Sequence, residues 1–161
     1  MTSVCNFQYL CRCNMLLLSN PYVWLRRIRH RNGYGVHSPF AFGFIKQVLE
    51  EHDAYYAYRQ IDSRLRWWQR FRYRRHQHLL FRLHNFWTSD KGDISVKSAE
   101  NAYDTRFQEG LMLVLTDIHR NRAQWAWTKQ NPFVTVTFDL YDIGIAFCLS
   151  RLSKQDYIVN W

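Results

Sequence analysis

Two patterns of apolar residues divide this chain into a helical front part and a part that contains strands. From residue 21 to residue 87 the apolar side chains recur every three or four positions, which is typical of amphipathic helices. The helices predicted from this spacing cover residues 21–31, 39–51, 59–73 and 77–87. After the polar loop of residues 88–93 the apolar residues alternate or form short continuous runs, which favours strands.

The second part predicts strands that alternate with helices. Residues 111–115 form a continuous apolar run, as expected of a strand buried on both faces. Strands are predicted at 94–98, 111–115, 134–140, 143–149 and 157–159, with helices at 99–109 and 120–130. This order predicts an α/β fold: a helical N-terminal prefix, then a small Rossmann-like sheet ending in a β-hairpin that turns at Tyr141 and Asp142.

The length of 161 residues suits one domain. We expect residues 1–20 to be a disordered tail, with Met15 as an alternative start, and residues 21–161 to form the domain. Within it, residues 21–87 are the helical prefix and residues 88–161 the reduced α/β part. Three cysteines fall in the tail and lack a fourth ligand at a familiar metal-site spacing, whereas Cys148 is predicted to be a small core side chain.

Positive charge is concentrated in the front half of the chain. Residues 1–89 carry 14 Lys and Arg against 4 Asp and Glu, whereas residues 90–161 carry 8 against 9, which together give the net charge of +9. Such a field favours an anionic partner, either nucleic acid or a membrane surface. No apolar run approaches the ~20 residues that a spanning helix needs, so we expect a cytoplasmic protein.

Arginines and aromatic residues are interleaved over residues 64–75. Arginines bind phosphates and aromatic rings stack on unpaired bases, so this stretch suits single-stranded nucleic acid. The candidate basic and aromatic surface consists of Arg66, Trp67, Arg70, Arg72, Arg74 and Arg75. The alternative is an ordinary amphipathic helix whose apolar residues face the core and whose arginines are solvated. His76, His78 and His84 do not share one helical face, and we expect them to be solvated.

Asp117 and His119 follow the strand predicted at 111–115. In α/β sheets, ligands bind at the carboxyl ends of the strands. These two residues are therefore the candidate ligand-edge residues.

A motif that begins at Gly33 and reads GYGVHSPF, followed by the tyrosine-rich residues 55–58, carries a resemblance. Together with residues 79–83 and the block from 111 to 161, these segments resemble a group of class I S-adenosylmethionine-dependent methyltransferases found in Bacteroidetes. The resemblance covers residues 21–87 and 111–161. The motif residues that match the family are Gly35, His37, Ser38, Pro39 and Phe40.

The resemblance also defines what this chain lacks. A class I methyltransferase needs a glycine-rich turn after its first strand, where the backbone approaches the cofactor closely. None of the six glycines forms such a cluster, and Thr116 stands beside Asp117 where the family has an acidic pair. We therefore expect a non-catalytic remnant that binds or interacts without a cofactor. The alternatives are an active enzyme that binds S-adenosylmethionine in an oligomer, or an arginine-driven nucleic-acid binder. An open sheet edge would permit a homodimer.

Overall fold

The structure, a computed structural model, describes residues 38–51, 55–88 and 92–160, with only the backbone at residues 67–72 and 88. The expected tail at 1–20 and the predicted helix at 21–31 lie outside these residues. The cysteines at positions 5, 11 and 13 do so too.

Three helical segments make up the described prefix. Helix α1 (Pro39–Phe44) continues into a wider π-helical turn (Ile45–Leu49), in which the Glu50 amide donates to the Ile45 carbonyl. Helix α2 (Tyr56–Arg64) ends at Leu65, whose backbone is extended. Helix α3 (Trp67–Thr88) then runs for 22 residues.

Two of these helices differ from their predicted bounds. The helices expected at 59–73 and 77–87 are divided at Leu65 instead of near residue 75, because α3 contains neither glycine nor proline and continues through its arginines and histidines. The predicted helix at 99–109 is also too long. A 3₁₀ segment (Ala99–Asp104) stops at Thr105, whose backbone is extended.

Five strands form one mixed sheet: β1 (Ile94–Ser98), β2 (Met112–Thr116), β3 (Val136–Asp139), β4 (Ile143–Phe147) and β5 (Gln155–Ile158). Their spatial order is β1-β2-β4-β3-β5. The outer pairs β1–β2 and β3–β5 are parallel, and β4 is antiparallel to both of its neighbours. The predicted hairpin is confirmed as β3 and β4, and helix α4 (Arg122–Gln130) precedes it.

Both faces of the sheet are covered, which gives three layers. On one face α1 and α3 pack their buried side chains, such as Phe44 and Leu83, on Met112, Val114 and Phe138. On the other face the 3₁₀ segment and α4 cover alternate residues, with Trp125 of α4 against this second cluster. The α/β fold with a helical N-terminal part is therefore as predicted.

The residues of β2 are all buried, as the continuous apolar run indicated. Cys148, just after β4, is buried, and burial together with the nearby Glu109 carboxylate raises the pKa of its thiol to about 11. It is a small core side chain, as expected, and is protonated at neutral pH.

Candidate functional site

The carboxyl ends of the parallel strands meet at one edge of the sheet. Thr116 at the end of β2 pairs with Ile143 at the start of β4, and Asp139 at the end of β3 pairs with Gly144. The loop that joins β3 to β4 therefore lies beside the turn that leaves β2. We call this the carboxyl edge, and it is where Asp117 and His119 lie, as predicted.

Asp117 turns the chain from β2 toward helix α4. Its φ angle is 61°, in the left-handed region that residues other than glycine adopt only at a cost of about 1 kcal/mol or more. Its carbonyl oxygen accepts hydrogen bonds from the amides of Arg120 and Asn121, at 3.1 and 3.3 Å, and from the Asn121 side chain. These bonds hold the strained residue in place.

His119 lies against an acidic residue of the β3–β4 loop. Its Nδ1 is 3.0 Å from Oδ1 of Asp142, which would be an ion pair only with a protonated ring, and the angles are not those of a hydrogen bond. Both side chains are only 6% exposed. Burial lowers the pKa of His119, Asp117 opposes this, and Arg120 and Arg122 reinforce it, so the ring is neutral near pH 7.

The β3–β4 loop is itself fixed by polar contacts. Tyr141 has a φ angle of 79°, and its ring stacks on His119 with a centroid separation of 5.4 Å. Its amide donates to Oδ1 of Asp139 at 2.8 Å, and Arg122 donates to Oδ2 of the same carboxylate at 2.6 Å. Two non-glycine residues with positive φ angles, at positions 117 and 141, thus lie at one edge of the sheet. Strained backbone of this kind clusters at functional sites.

Helix α3 contributes a histidine to this edge. His76 is only 9% exposed, and burial lowers its pKa to about 4, with Arg75 acting in the same direction and Asp117 opposing it. The expectation that His76 and His78 are solvated is wrong, whereas His84 is exposed. His76 is buried because it lies on the same face of α3 as Leu79, Leu83 and Trp87, which pack on the sheet.

A neutral imidazole beside a carboxylate resembles the base and its orienting group in acid–base catalysis. Here, however, Nε2 of His119 is buried, as is the hydroxyl of Thr116, and neither atom has a hydrogen-bond partner among the described residues. Thr116 is 2% and Asp117 7% exposed. The polar side chains of Thr116 and Asp117 are therefore buried within the protein.

The described glycines have structural roles away from a cofactor turn. Gly92 and Gly110 lie at the opposite edge of the sheet, where a Cβ on Gly92 would be 2.0 Å from the Gly110 carbonyl oxygen. Gly144 is inside β4, and a Cβ there would be 2.7 Å from the Trp125 ring. Gly43 lies within α1.

The described motif residues from the resemblance act in packing. Ser38 caps α1 by accepting a hydrogen bond from the Ala41 amide at 3.4 Å, and Pro39 occupies the first helical turn. The Phe40 ring packs edge-on against the Phe147 ring, with a centroid separation of 5.2 Å. Gly35 and His37 lie outside the described residues.

Only part of the predicted basic and aromatic surface can be placed. Arg66, Arg74 and Arg75 are exposed, whereas the side chains of Trp67, Arg70 and Arg72 lie outside the description. Arg74 contacts Asp62 of α2 through its Nε at 3.0 Å. The structure therefore brings Arg74 to α2.

Three residues of the carboxyl edge were not predicted as site residues: His76, Tyr141 and Asp142. Tyr141 and Asp142 were assigned only to a turn, and a positive φ angle at tyrosine has no signal in the sequence. His76 is distant along the chain and reaches the edge only through the packing of α3. Among residues 38–51, 55–88 and 92–160, no group of three or more His, Cys, Asp or Glu side chains is arranged to hold a metal ion.

Comparison of the chain with protein-family models, with curated proteins and with solved structures finds no match. The resemblance to methyltransferases therefore stays a prediction. None of the helices in the described part of the chain combines the length and apolar composition that crossing a membrane requires.

Proposed function

We propose that this chain is a methyltransferase-like protein that acts by binding and does not transfer methyl groups. The observation that carries the proposal is the burial of the polar side chains at the carboxyl edge. Thr116, Asp117 and Asp142 are at most 7% exposed, and His76 of the helical prefix is buried close enough to Asp117 for its pKa to respond. Ligands of α/β sheets bind outside the carboxyl ends of the strands, and side chains buried at that edge are out of reach of such a ligand.

Two further observations support the proposal. The sheet has a parallel pair, β1–β2, followed by an antiparallel hairpin, as the resemblance to the last strands of the methyltransferase sheet implies. The residues after β1 and β2 are Ala99 and Asp117, and both positive-φ glycines of the described chain lie at the opposite edge. Within the residues that the structure describes, the backbone at the carboxyl edge therefore offers no bare glycine turn to a nucleoside.

Isothermal titration calorimetry with S-adenosylmethionine and with its demethylated product tests the proposal. We expect no saturable binding of either compound to the full chain. Saturable binding would overturn the proposal, and its loss in Asp117→Ala would assign that binding to the carboxyl edge. This second result would favour the alternative of an enzyme that completes its site in an oligomer.

Nucleic-acid binding is a second candidate function, favoured by the exposed side chains of Arg66, Arg74 and Arg75 beside or on α3. With about six phosphate contacts, affinity for single-stranded DNA should fall roughly 300-fold between about 50 and 200 mM salt. An affinity that does not change over this range contradicts the candidate.

A homodimer through the outer strands β1 or β5 is a further prediction, which light scattering would test.

A further inference from the structure

A cleft between α2 and α3 has a volume of about 590 Å³ and is lined by none of the residues described at the carboxyl edge. We call it the tyrosine cleft. The lining residues that matter here are Tyr55, Tyr56, Tyr58, Arg59, Asp62 and Arg74. Its volume falls within the range of small-molecule sites, about 300 to 1,000 Å³.

The aromatic wall of the tyrosine cleft is held by ring contacts. Tyr58 stacks on His78 with a centroid separation of 3.8 Å and an interplanar angle of 4°. Tyr55 and Tyr58 each pack edge-on against Phe81, at 5.6 and 5.7 Å. Two of the three tyrosines are therefore fixed before any ligand arrives, which reduces the entropy lost on binding.

The third tyrosine is exposed in a way that packing does not explain. Tyr56 is 77% exposed, the highest value among the large exposed hydrophobic side chains of the described chain. A phenol ring at the mouth of a cleft presents a flat apolar face on which a planar ligand can stack.

The charge in the tyrosine cleft is positive. Arg59 and Arg74 bring two guanidinium groups against a single carboxylate, Asp62. That carboxylate already contacts Nε of Arg74 and Nε2 of His78, each at 3.0 Å. Arg59 is exposed at the cleft, and no described carboxylate forms an ion pair with it. Arginine binds phosphate oxygens through paired N–H groups, so Arg59 is the anion-binding group.

We propose that the tyrosine cleft binds a nucleobase together with its phosphate, the base against the Tyr56 face and the phosphate on Arg59. This inference rests on the proposed binding function and names its ligand class. The ligand could be a free mononucleotide or one nucleotide of a single strand, since both present the same chemistry.

Calorimetric titration of the full chain with adenosine 5′-monophosphate, adenosine and inorganic phosphate tests the inference. We expect the monophosphate to bind at least about tenfold more tightly than either fragment, because stacking and phosphate binding act together. Equal affinity for adenosine and its monophosphate, or no binding of the monophosphate, overturns the inference.

Variants assign the binding to the cleft. Arg59→Gln and Tyr56→Leu should each weaken monophosphate binding about tenfold. Arg106→Gln, which removes an exposed arginine outside the cleft, should leave it unchanged. Both cleft residues are exposed, so circular dichroism should show that the variants remain folded. A short single-stranded oligoadenylate distinguishes the two sources: a strand that binds more tightly than the monophosphate identifies nucleic acid as the ligand.

The inference is also overturned if Arg59→Gln binds the monophosphate and the oligoadenylate as tightly as the wild type does. The outcome is independent of the methyl-donor titration. S-adenosylmethionine carries no phosphate and is not expected to bind here, so saturable donor binding would refute the proposed function and leave the cleft standing.

Discussion

Burial of His76 predicts a specific loss of stability in acid. Its pKa falls from 6.5 to about 4 in the folded protein, chiefly because burial disfavours the charged ring. The unfolded chain therefore takes up a proton at a higher pH than the folded protein does. The full contribution of the neutral ring to stability is present above pH 6.5 and is lost as the pH falls toward about 4.

The magnitude follows from the size of the pKa difference. Lowering the pKa from 6.5 to about 4 corresponds to about 3 kcal/mol of free energy of unfolding. Between pH 7 and pH 4.5 the protein should lose most of this free energy of unfolding, about 2 kcal/mol. That is a large share of the stability of an ordinary domain, which is about 5 to 15 kcal/mol.

Urea unfolding, followed by tryptophan fluorescence at several values between pH 7 and pH 4.5, measures the effect. His76→Gln removes the titrating ring, so the variant should lose about 2 kcal/mol less than the wild type over this interval. His119 also has a lowered pKa and adds to the loss in both proteins. Comparing each protein with itself at the two pH values removes any effect of the substitution on packing.

His84→Gln is the matched control, because His84 is exposed on the same helix. This variant should have the same pH dependence as the wild type. If wild type and His76→Gln lose equal stability between pH 7 and pH 4.5, the buried, neutral state of His76 is refuted. Helix α3 would then not place a buried, neutral histidine beside Asp117.

Four other substitutions test the fold, each by urea or thermal unfolding. Gly144→Ala should destabilise the protein by about 1–3 kcal/mol, because the new Cβ would be 2.7 Å from the ring of the buried Trp125. Gly43→Ala is its control: nothing lies within 4 Å of a Cβ there, so in helix α1 it should be neutral or stabilising by up to about 1 kcal/mol. Equal effects of the two would contradict the packing of α4 on β4. Ser38→Ala should cost about 1 kcal/mol as the helix cap is lost. Phe44→Ala should cost about 3–5 kcal/mol because Phe44 is fully buried among three other rings, and a loss under about 1 kcal/mol would contradict that core.

The amino-acid sequence determined the class of the fold and most of its strands. Alternation over 134–140 and the continuous apolar run at 111–115 depend only on neighbouring residues, because side chains point to opposite faces of a strand with a period of two. The same local information predicted the buried Cys148 and the position of Asp117 and His119 after a strand. All of these are properties of short segments.

The tertiary structure decided what lies against these segments. The lack of glycine and proline allows α3 to run unbroken to residue 88, but only its packing along the sheet buries His76. The contact between His119 and Asp142 spans the loop from one strand to another, and the tyrosine cleft needs Arg74 of α3 beside α2. Periodicity reports which face of an element is apolar, but not which other element covers it. The burial of a side chain, its pKa and the clefts of the protein depend on which element covers which face.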